Sequence, residues 1–125
     1  MKIEVGEYVR LKNGLIGQFY NIEEGYDGNT QVNFEEFGYE YEDIEQFYED
    51  IKVHSKIISE IVEVGDYVNG YKVRGKTEKK VVVDYYCYSE ELAEGNWLTF
   101  FKDNIKTIVT HEQMQSIEYK VEEDK

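Results

Sequence analysis

Apolar and polar residues alternate along most of this chain with a period of two, which is the pattern of half-buried β-strands. In the first half the alternation predicts four strands, at Ile3–Val9, Leu15–Tyr20, Gln31–Phe34 and Phe37–Tyr41. A bulge or bend is expected at Gly6. Asn13 and Gly14 separate the first two strands and predict a type I′ hairpin turn, because both central positions of that turn need a positive φ.

The second half repeats the same plan and ends in a helix. Its alternating and β-branched runs predict strands at Tyr67–Val68, Tyr71–Arg74, Lys80–Tyr88, Trp97–Phe101 and Ile105–Val109, with a turn at Asn69–Gly70. Thr110 and Gln113 have the spacing of a capping box, which predicts a short C-terminal helix. The segment Ser55–Ile61 fits either a helical turn or an extended crossover.

An internal repeat indicates how the chain is organised. The heptapeptide Ile3–Val9 returns as Val62–Val68 with matching chemistry at every position, and Glu49–Lys52 has a weaker echo in Asp103–Lys106. Two copies indicate a tandem pair of small units or a pseudo-symmetric domain, because a solenoid normally needs more repeats, and we favour the pair. The predicted boundaries are a first unit at 1–54, a connector at 55–61, a second unit at 62–121 and a fraying tail at 122–125. Since the chain has no proline, the units are expected to pack directly.

Composition narrows the class of protein. Hydrophobic residues make up 41% of the 125 residues and aromatic residues 15%, which is enough for a packed core. Apolar runs reach only three or four residues, so no membrane-spanning helix is expected. The N-terminal segment lacks the pattern of an export signal, which predicts a cytoplasmic protein. One cysteine and two histidines exclude a disulfide and a thiolate–imidazole zinc site, so we expect no metal and no other cofactor.

The formal net charge of -13 opposes direct binding to nucleic acid or to an anionic membrane and favours a basic partner. Residues 23–50, here called the acidic tract, contain eleven Asp and Glu residues and no Lys or Arg. Seven aromatic residues in the same tract indicate that it folds onto the core with its carboxylates outward.

The acidic tract has two interpretations. It can imitate the phosphates of a nucleic acid and dock onto a basic groove of another protein, or it can be a solvated face that keeps the protein soluble. The first interpretation names six candidate contact residues: Glu35, Glu36, Glu40, Glu42, Asp43 and Glu45.

A second candidate site combines cations and aromatic rings in the second half. Flat rings can stack on a nucleobase while Lys and Arg pair with its phosphates. The candidate residues are Tyr67, Tyr71, Lys72, Arg74, Lys76, Lys79, Lys80, Tyr85, Tyr86, Tyr88 and Trp97. The alternative is a hairpin with a basic turn and ordinary strand tyrosines. Twelve tyrosines in the chain favour a pocket, or an interface in a homo-oligomer.

Catalysis has little support in the sequence. His54 and His111 are not connected by any motif and are expected to be structural or exposed, and Cys87 has the setting of a buried strand residue. The glycines are spaced for turns and are not followed by the Lys-Ser or Lys-Thr of a phosphate-binding loop. We therefore expect a non-enzymatic protein with no catalytic residues.

Two segments carry a resemblance to known families. Val5–Arg10 followed by Asn13–Phe19 resembles the opening of a KOW-type SH3-like barrel, which implies two tandem small SH3-like β-barrel units packed together. Through Val62–Val73 and Ile105–Val121 the whole chain is similar to a family of small proteins from phages and prophages of Gram-positive bacteria.

That second resemblance implies a binding protein that acts in the host cytoplasm, often against host defence. The expected action is sequestration of a small nucleotide immune signal, such as a cyclic oligonucleotide or an ADP-ribose derivative. The alternative is inhibition of a basic host protein, such as a CRISPR effector or a transcription protein, through the acidic tract. A third interpretation is an accessory role in the virion or in replication.

Overall fold

The computed structural model describes residues 2–84 and 97–117, and within them the protein is mainly β with two antiparallel sheets and a C-terminal helix, as predicted. The first sheet has five strands in the order β4-β3-β2-β1-β5. These strands are β1 Tyr8–Leu11, β2 Ile16–Glu24, β3 Thr30–Phe34, β4 Gly38–Tyr41 and β5 Ile51–Ser55.

The second sheet repeats this connectivity, with the strand order β10-β6-β7-β8-β9. Its strands are β6 Tyr67–Val68, β7 Tyr71–Lys76, β8 Lys80–Asp84, β9 Trp97–Phe101 and β10 Ile108–Val109. In each sheet the first strand lies between the second and the fifth. A short helix precedes the fifth strand in both: α1 Ile44–Asp50 in the first sheet and a 3₁₀ helix at Lys102–Asn104 in the second.

The remaining helices are short. A 3₁₀ helix at Tyr26–Gly28 links β2 to β3, and α2 Ile58–Ile61 gives the connector its helical form. The C-terminal helix is α3 His111–Ile117. No helix in the described residues combines the length and the apolar character needed to cross a membrane.

Each sheet buries one face, as the period-two pattern requires. The first core contains Val9, Leu11, Phe19, Val32, Phe34, Tyr41, Phe47 and Ile51. The second contains Val62, Val68, Val73, Val81 and Val83. Phe34, Tyr41 and Phe47 of the acidic tract are buried, so these aromatic residues pack inward, while the six predicted contact carboxylates are exposed.

The repeated heptapeptide builds the same turn twice. Glu7 N–H donates to the Glu4 carbonyl at 3.1 Å, and Asp66 N–H donates to the Glu63 carbonyl at 3.1 Å. The two acidic side chains in turn accept the N–H groups of Glu4 and Glu63, at 2.6 and 2.7 Å. The glycine before each acid has a φ of +94° or +98°, a conformation that favours glycine. The strand predicted from Ile3 therefore begins only at Tyr8.

The first hairpin differs from the prediction. Gly14 has a φ of +94° but Asn13 has a negative φ, so the type I′ assignment is wrong. Gly14 N–H instead closes a turn onto the Leu11 carbonyl at 2.9 Å, and the Asn13 side chain accepts the Leu15 N–H at 3.0 Å. At Asn69–Gly70 both residues have positive φ, as a type I′ turn requires.

The helices show one correct prediction and one omission. Thr110 N–H donates to Gln113 Oε1 at 3.0 Å and Gln113 N–H donates to Thr110 Oγ1 at 3.3 Å, which confirms the capping box of α3. Helix α1 was not predicted. Among the strands predicted in the second half, Ile105–Val109 shortens to β10, and the predicted run at 80–88 is described only as far as Asp84.

The two halves contact each other directly. Thr110 Oγ1 donates to the Gly14 carbonyl at 2.9 Å in a buried position, and a Cβ at Gly14 would overlap Thr110 Oγ1. The side chain of Arg10 in β1 also reaches Asp66 in the turn before β6. These contacts place the first hairpin against the start of α3.

Candidate functional site

Cations and aromatic residues share the outer face of the second sheet. Because Val73, Val81 and Val83 point into the second core, their strand neighbours lie on the opposite face. That face carries Tyr67, Lys72, Arg74, Lys80 and Phe101, which we call the basic sheet face, and also Val82, Asp84 and Thr99. In register, Tyr67 pairs with Lys72 and Lys80 pairs with Phe101. Phe101 is 53% exposed.

The basic sheet face is positive in a negative protein. Residues 67–84 and 97–109 contain seven Lys and Arg residues and three Asp and Glu residues. Arg74 Nη1 lies 3.7 Å from Asp84 Oδ1, and both side chains are about half exposed. An exposed pair at this distance is weak and screened by salt.

Tyr71, Lys76 and Lys79, which were also predicted to bind the nucleotide, do not lie on this face. Tyr71 packs against the second core, with its ring centroid 6.1 Å from that of Phe100. Lys76 Nζ donates to the Glu60 carbonyl at 2.8 Å, and Lys79 lies exposed in the turn before β8. Trp97 pairs with Asp84 in the register of β9 and β8. The predictions for Tyr85, Tyr86 and Tyr88, and that for Cys87, lie outside the described residues.

All six predicted carboxylates of the acidic tract are exposed. Three of them hold local structure: Glu36 accepts the Gln18 N–H at 2.9 Å, Glu40 accepts the Asn29 side-chain amide at 2.8 Å, and Asp43 accepts the Gln46 N–H at 2.8 Å. The other three, which make no hydrogen bond or ion pair within the described residues, are Glu35, Glu42 and Glu45. A partner would therefore meet three uncommitted carboxylates.

A third group of charges lies between the two halves and was not predicted. Arg10 is fully buried in β1, where its Nη1 donates to the Ile61 carbonyl at 2.9 Å and to Asp66 Oδ2 at 2.5 Å. Its Nη2 donates to Asp66 Oδ1 at 2.9 Å and to Glu112 Oε2 at 2.6 Å. Lys52 Nζ joins Glu112 Oε1 at 2.6 Å to Glu63 Oε1 at 2.8 Å.

We call Arg10, Lys52, Glu63, Asp66 and Glu112 the buried charge cluster. Burial alone would raise the pKa of Glu112, but hydrogen bonds from Lys52 and Arg10 outweigh it and lower that pKa to about 2. The hydrogen bond from Glu112, followed by that from Glu63, raises the pKa of Lys52. Glu112 and Lys52 are therefore ionised at neutral pH, and the cluster links β1 to β5, to the turn before β6 and to α3.

The buried charge cluster also touches the only group in the described residues whose geometry would suit a metal ion. One ligand atom each from Glu63, His111 and Glu112 lies within 4.8 Å of the others. The Lys52 ammonium already contacts both carboxylates, and Arg10 contacts Glu112. A divalent cation would have to displace these positive groups, so the geometry favours a structural ion network over a metal centre.

Both histidines contact carboxylates. His54 Nδ1 lies 2.9 Å from Glu7 Oε1, and His111 Nε2 lies 2.8 Å from Glu63 Oε1. Both side chains are about 30% exposed, at 28% for His54 and 32% for His111. Each histidine therefore ties the acidic turn of one half to a neighbouring element.

Comparisons with known proteins give no match, whether with protein-family models, with curated proteins or with solved structures.

The sequence contained one signal for the buried charge cluster, which is an arginine placed between Val9 and Leu11 in a strand that buries one face. That position can also be an exposed one, so the contact with Asp66 required the arrangement of the two halves.

Proposed function

We propose that this protein is a non-catalytic binding protein that captures a small nucleotide on the basic sheet face. The observation that carries the proposal is the placement of Lys72, Arg74 and Lys80 on one sheet face together with the exposed ring of Phe101. A nucleobase stacks on Phe101 and the phosphates pair with the cations. The sheet holds these side chains in fixed register, which lowers the entropy cost of binding.

The identity of the ligand rests on the resemblance to phage and prophage proteins. We infer that the ligand is a cyclic oligonucleotide or an ADP-ribose derivative used as an immune signal, and that capture in the host cytoplasm blunts defence. We also infer that both halves are SH3-like barrels. The common strand order and the short helix before each fifth strand support this inference.

The test is a heat-release assay. The purified protein is incubated with cyclic dinucleotides, cyclic trinucleotides and cyclic ADP-ribose isomers, separated from free ligand and denatured, and the released compound is identified by mass spectrometry. The test variant combines Lys72→Gln, Arg74→Gln and Lys80→Gln. The control combines Lys2→Gln, Lys12→Gln and Lys56→Gln, which change the charge equally at exposed positions away from the basic sheet face.

We expect intact ligand from the native protein and the control, and roughly tenfold less from the test variant, because charge-assisted contacts to phosphate are lost. If the test variant retains the ligand, the binding site does not lie on the basic sheet face. Release of a processed compound would mean an enzyme, and retention of nothing by the native protein would overturn the proposal.

The exposed carboxylates favour a second candidate function, which is docking of the acidic tract onto a basic groove of a host protein. Glu35 and Glu42 are suited to this test because neither side chain holds local structure. Capture from host lysate should fall steeply with salt and with Glu35→Gln combined with Glu42→Gln. The control is Glu78→Gln combined with Asp103→Asn, two exposed acids of the second half. If neither added salt nor the test variant reduces capture, the result counts against docking through the acidic tract.

A further inference from the structure

A cleft of about 360 Å³ opens between the two halves, beside the buried charge cluster. In β1, Val9 and Leu11 enter the first core, so Tyr8 and Arg10 occupy the opposite face. Arg10 joins the second half through Asp66, whereas Tyr8 lines the open cleft. The two halves thus meet at Arg10 and leave the cleft open beside Tyr8.

The lining of the cleft is mostly polar, but four isoleucines give it an apolar part. Ile16 comes from β2, Ile58 from α2, and Ile105 and Ile108 from the segment that ends in β10. All four side chains are partly buried, and the Tyr8 ring lies with them. Branched side chains from three separate elements enclose a volume within the range of about 300–1,000 Å³ that is usual for small-ligand sites.

The lining of the cleft also carries an excess of positive charge. Lys102 and Lys106 line it from the second half, and Glu36 lines it from the first. The Glu36 carboxylate already accepts the Gln18 N–H at 2.9 Å, and Lys106 Nζ has a long hydrogen bond of 3.2 Å to the Asp103 carbonyl. Within the described residues the Lys102 ammonium makes no hydrogen bond or ion pair, and neither does the Tyr8 hydroxyl.

We propose that this cleft binds a small amphipathic anion, with an apolar body against the isoleucines and an anionic head on Lys102 and Lys106. Burial of the body supplies the hydrophobic contribution, and the two ammonium groups supply charge complementarity that selects an anion over a neutral compound. Since none of these residues belongs to the basic sheet face, the proposal does not depend on nucleotide capture there.

The probe for the cleft is 8-anilinonaphthalene-1-sulfonate, whose fused rings and sulfonate have the required chemistry. Fluorescence titration at fixed ionic strength should show saturable binding of one dye per chain. Lys102→Gln combined with Lys106→Gln should weaken dye binding by about fivefold or more, because the charge-assisted contacts to the sulfonate are lost.

The matched control is Lys2→Gln combined with Lys12→Gln, which removes the same charge from exposed positions outside the cleft and the basic sheet face. We expect this control to bind the dye within about twofold of the native protein, since exposed charges beyond the site are screened. Equal weakening in both variants would overturn the cleft assignment. Nucleotide release from the Lys102 and Lys106 variant, measured as above, keeps the two proposals separate.

A second measurement locates the dye without any substitution. With ¹³C-labelled isoleucine methyl groups, the dye should shift the signals of Ile16, Ile58, Ile105 and Ile108 and leave the exposed Ile22 unchanged. Octanoate should displace the dye, whereas the neutral octan-1-ol should not. Shifts centred on other isoleucines, or equal displacement by the alcohol, would refute the proposal.

Discussion

The two halves of the chain use the same acidic position of their repeat in different ways. Glu7 and Asp66 both accept the N–H three residues before them and so close equivalent turns. Glu7 then meets His54 of its own half, whereas Asp66 reaches across to Arg10 of the other half. In the first half the acid of the repeated turn therefore contacts its own half, whereas in the second half it forms part of the contact between the halves.

The outer surfaces of the halves have diverged further. Residues 1–54 contain four Lys and Arg against thirteen Asp and Glu, whereas residues 62–121 contain eight against ten. A sheet of this kind needs apolar residues only on its inner face, so the outer face is free to change. The common strand order therefore does not imply a common partner, and the two faces must be tested separately.

Removal of Arg10 should have the largest effect on this comparison. Arg10→Ala leaves the buried Asp66 carboxylate with its two backbone N–H donors but without a countercharge. It should lower the free energy of unfolding by about 3–5 kcal/mol. Lys12→Ala, at the exposed end of the same hairpin, should change it by less than about 0.5 kcal/mol. Urea unfolding followed by circular dichroism measures both. A loss below about 1 kcal/mol for Arg10→Ala would mean that the buried charge cluster does not join the halves.

The second-largest expected effect is that of acid, which should weaken the contact between the halves. An unfolded Glu112 takes up a proton near pH 4.5, whereas the folded form resists protonation until about pH 2. The unfolded state thus binds more protons in this interval, and stability falls as pH falls from about 5 to 2, by about 3 kcal/mol at most. In Glu112→Gln the fall should be smaller, while the exposed Glu45→Gln should keep it. Urea midpoints at pH 7, 4 and 3 measure the difference, and identical pH profiles for the two variants would contradict it.

The sequence predicted the strands well and the contact between halves poorly. Period-two alternation is a local property, so it located β1 to β4 and β6 to β9 to within a few residues. Helix α1 was missed although Asp43 and Gln46 have capping-box spacing, because aromatic alternation dominated the interpretation of the acidic tract. In the buried charge cluster Arg10 contacts residues separated from it by 51 or more positions, such as Ile61, and the cleft combines residues of both halves. Local patterns carry no information on such pairs.

The two hairpin glycines should respond differently to the same change. Both have positive φ, at +94° for Gly14 and +87° for Gly70. A Cβ at Gly14 would overlap Thr110 Oγ1, whereas a Cβ at Gly70 would meet open space. Gly70→Ala should therefore cost about 1–2 kcal/mol for backbone strain alone, and Gly14→Ala about 1 kcal/mol or more beyond that for overpacking. Thermal unfolding of the pair measures the difference, and equal losses would show that the contact between Gly14 and Thr110 yields at no cost.

The smallest expected effect concerns the acidic tract, in which some carboxylates hold local structure and others are free to meet a partner. Asp43 caps α1, so Asp43→Ala should lower the free energy of unfolding by about 1 kcal/mol, whereas Glu42→Ala should leave it within about 0.5 kcal/mol. Asp43→Asn should restore most of the loss, because an amide oxygen can still accept the Gln46 N–H. If Asp43→Ala and Glu42→Ala unfold alike, the cap does not stabilise α1. In that case Asp43 can be counted with the carboxylates that a basic partner would meet.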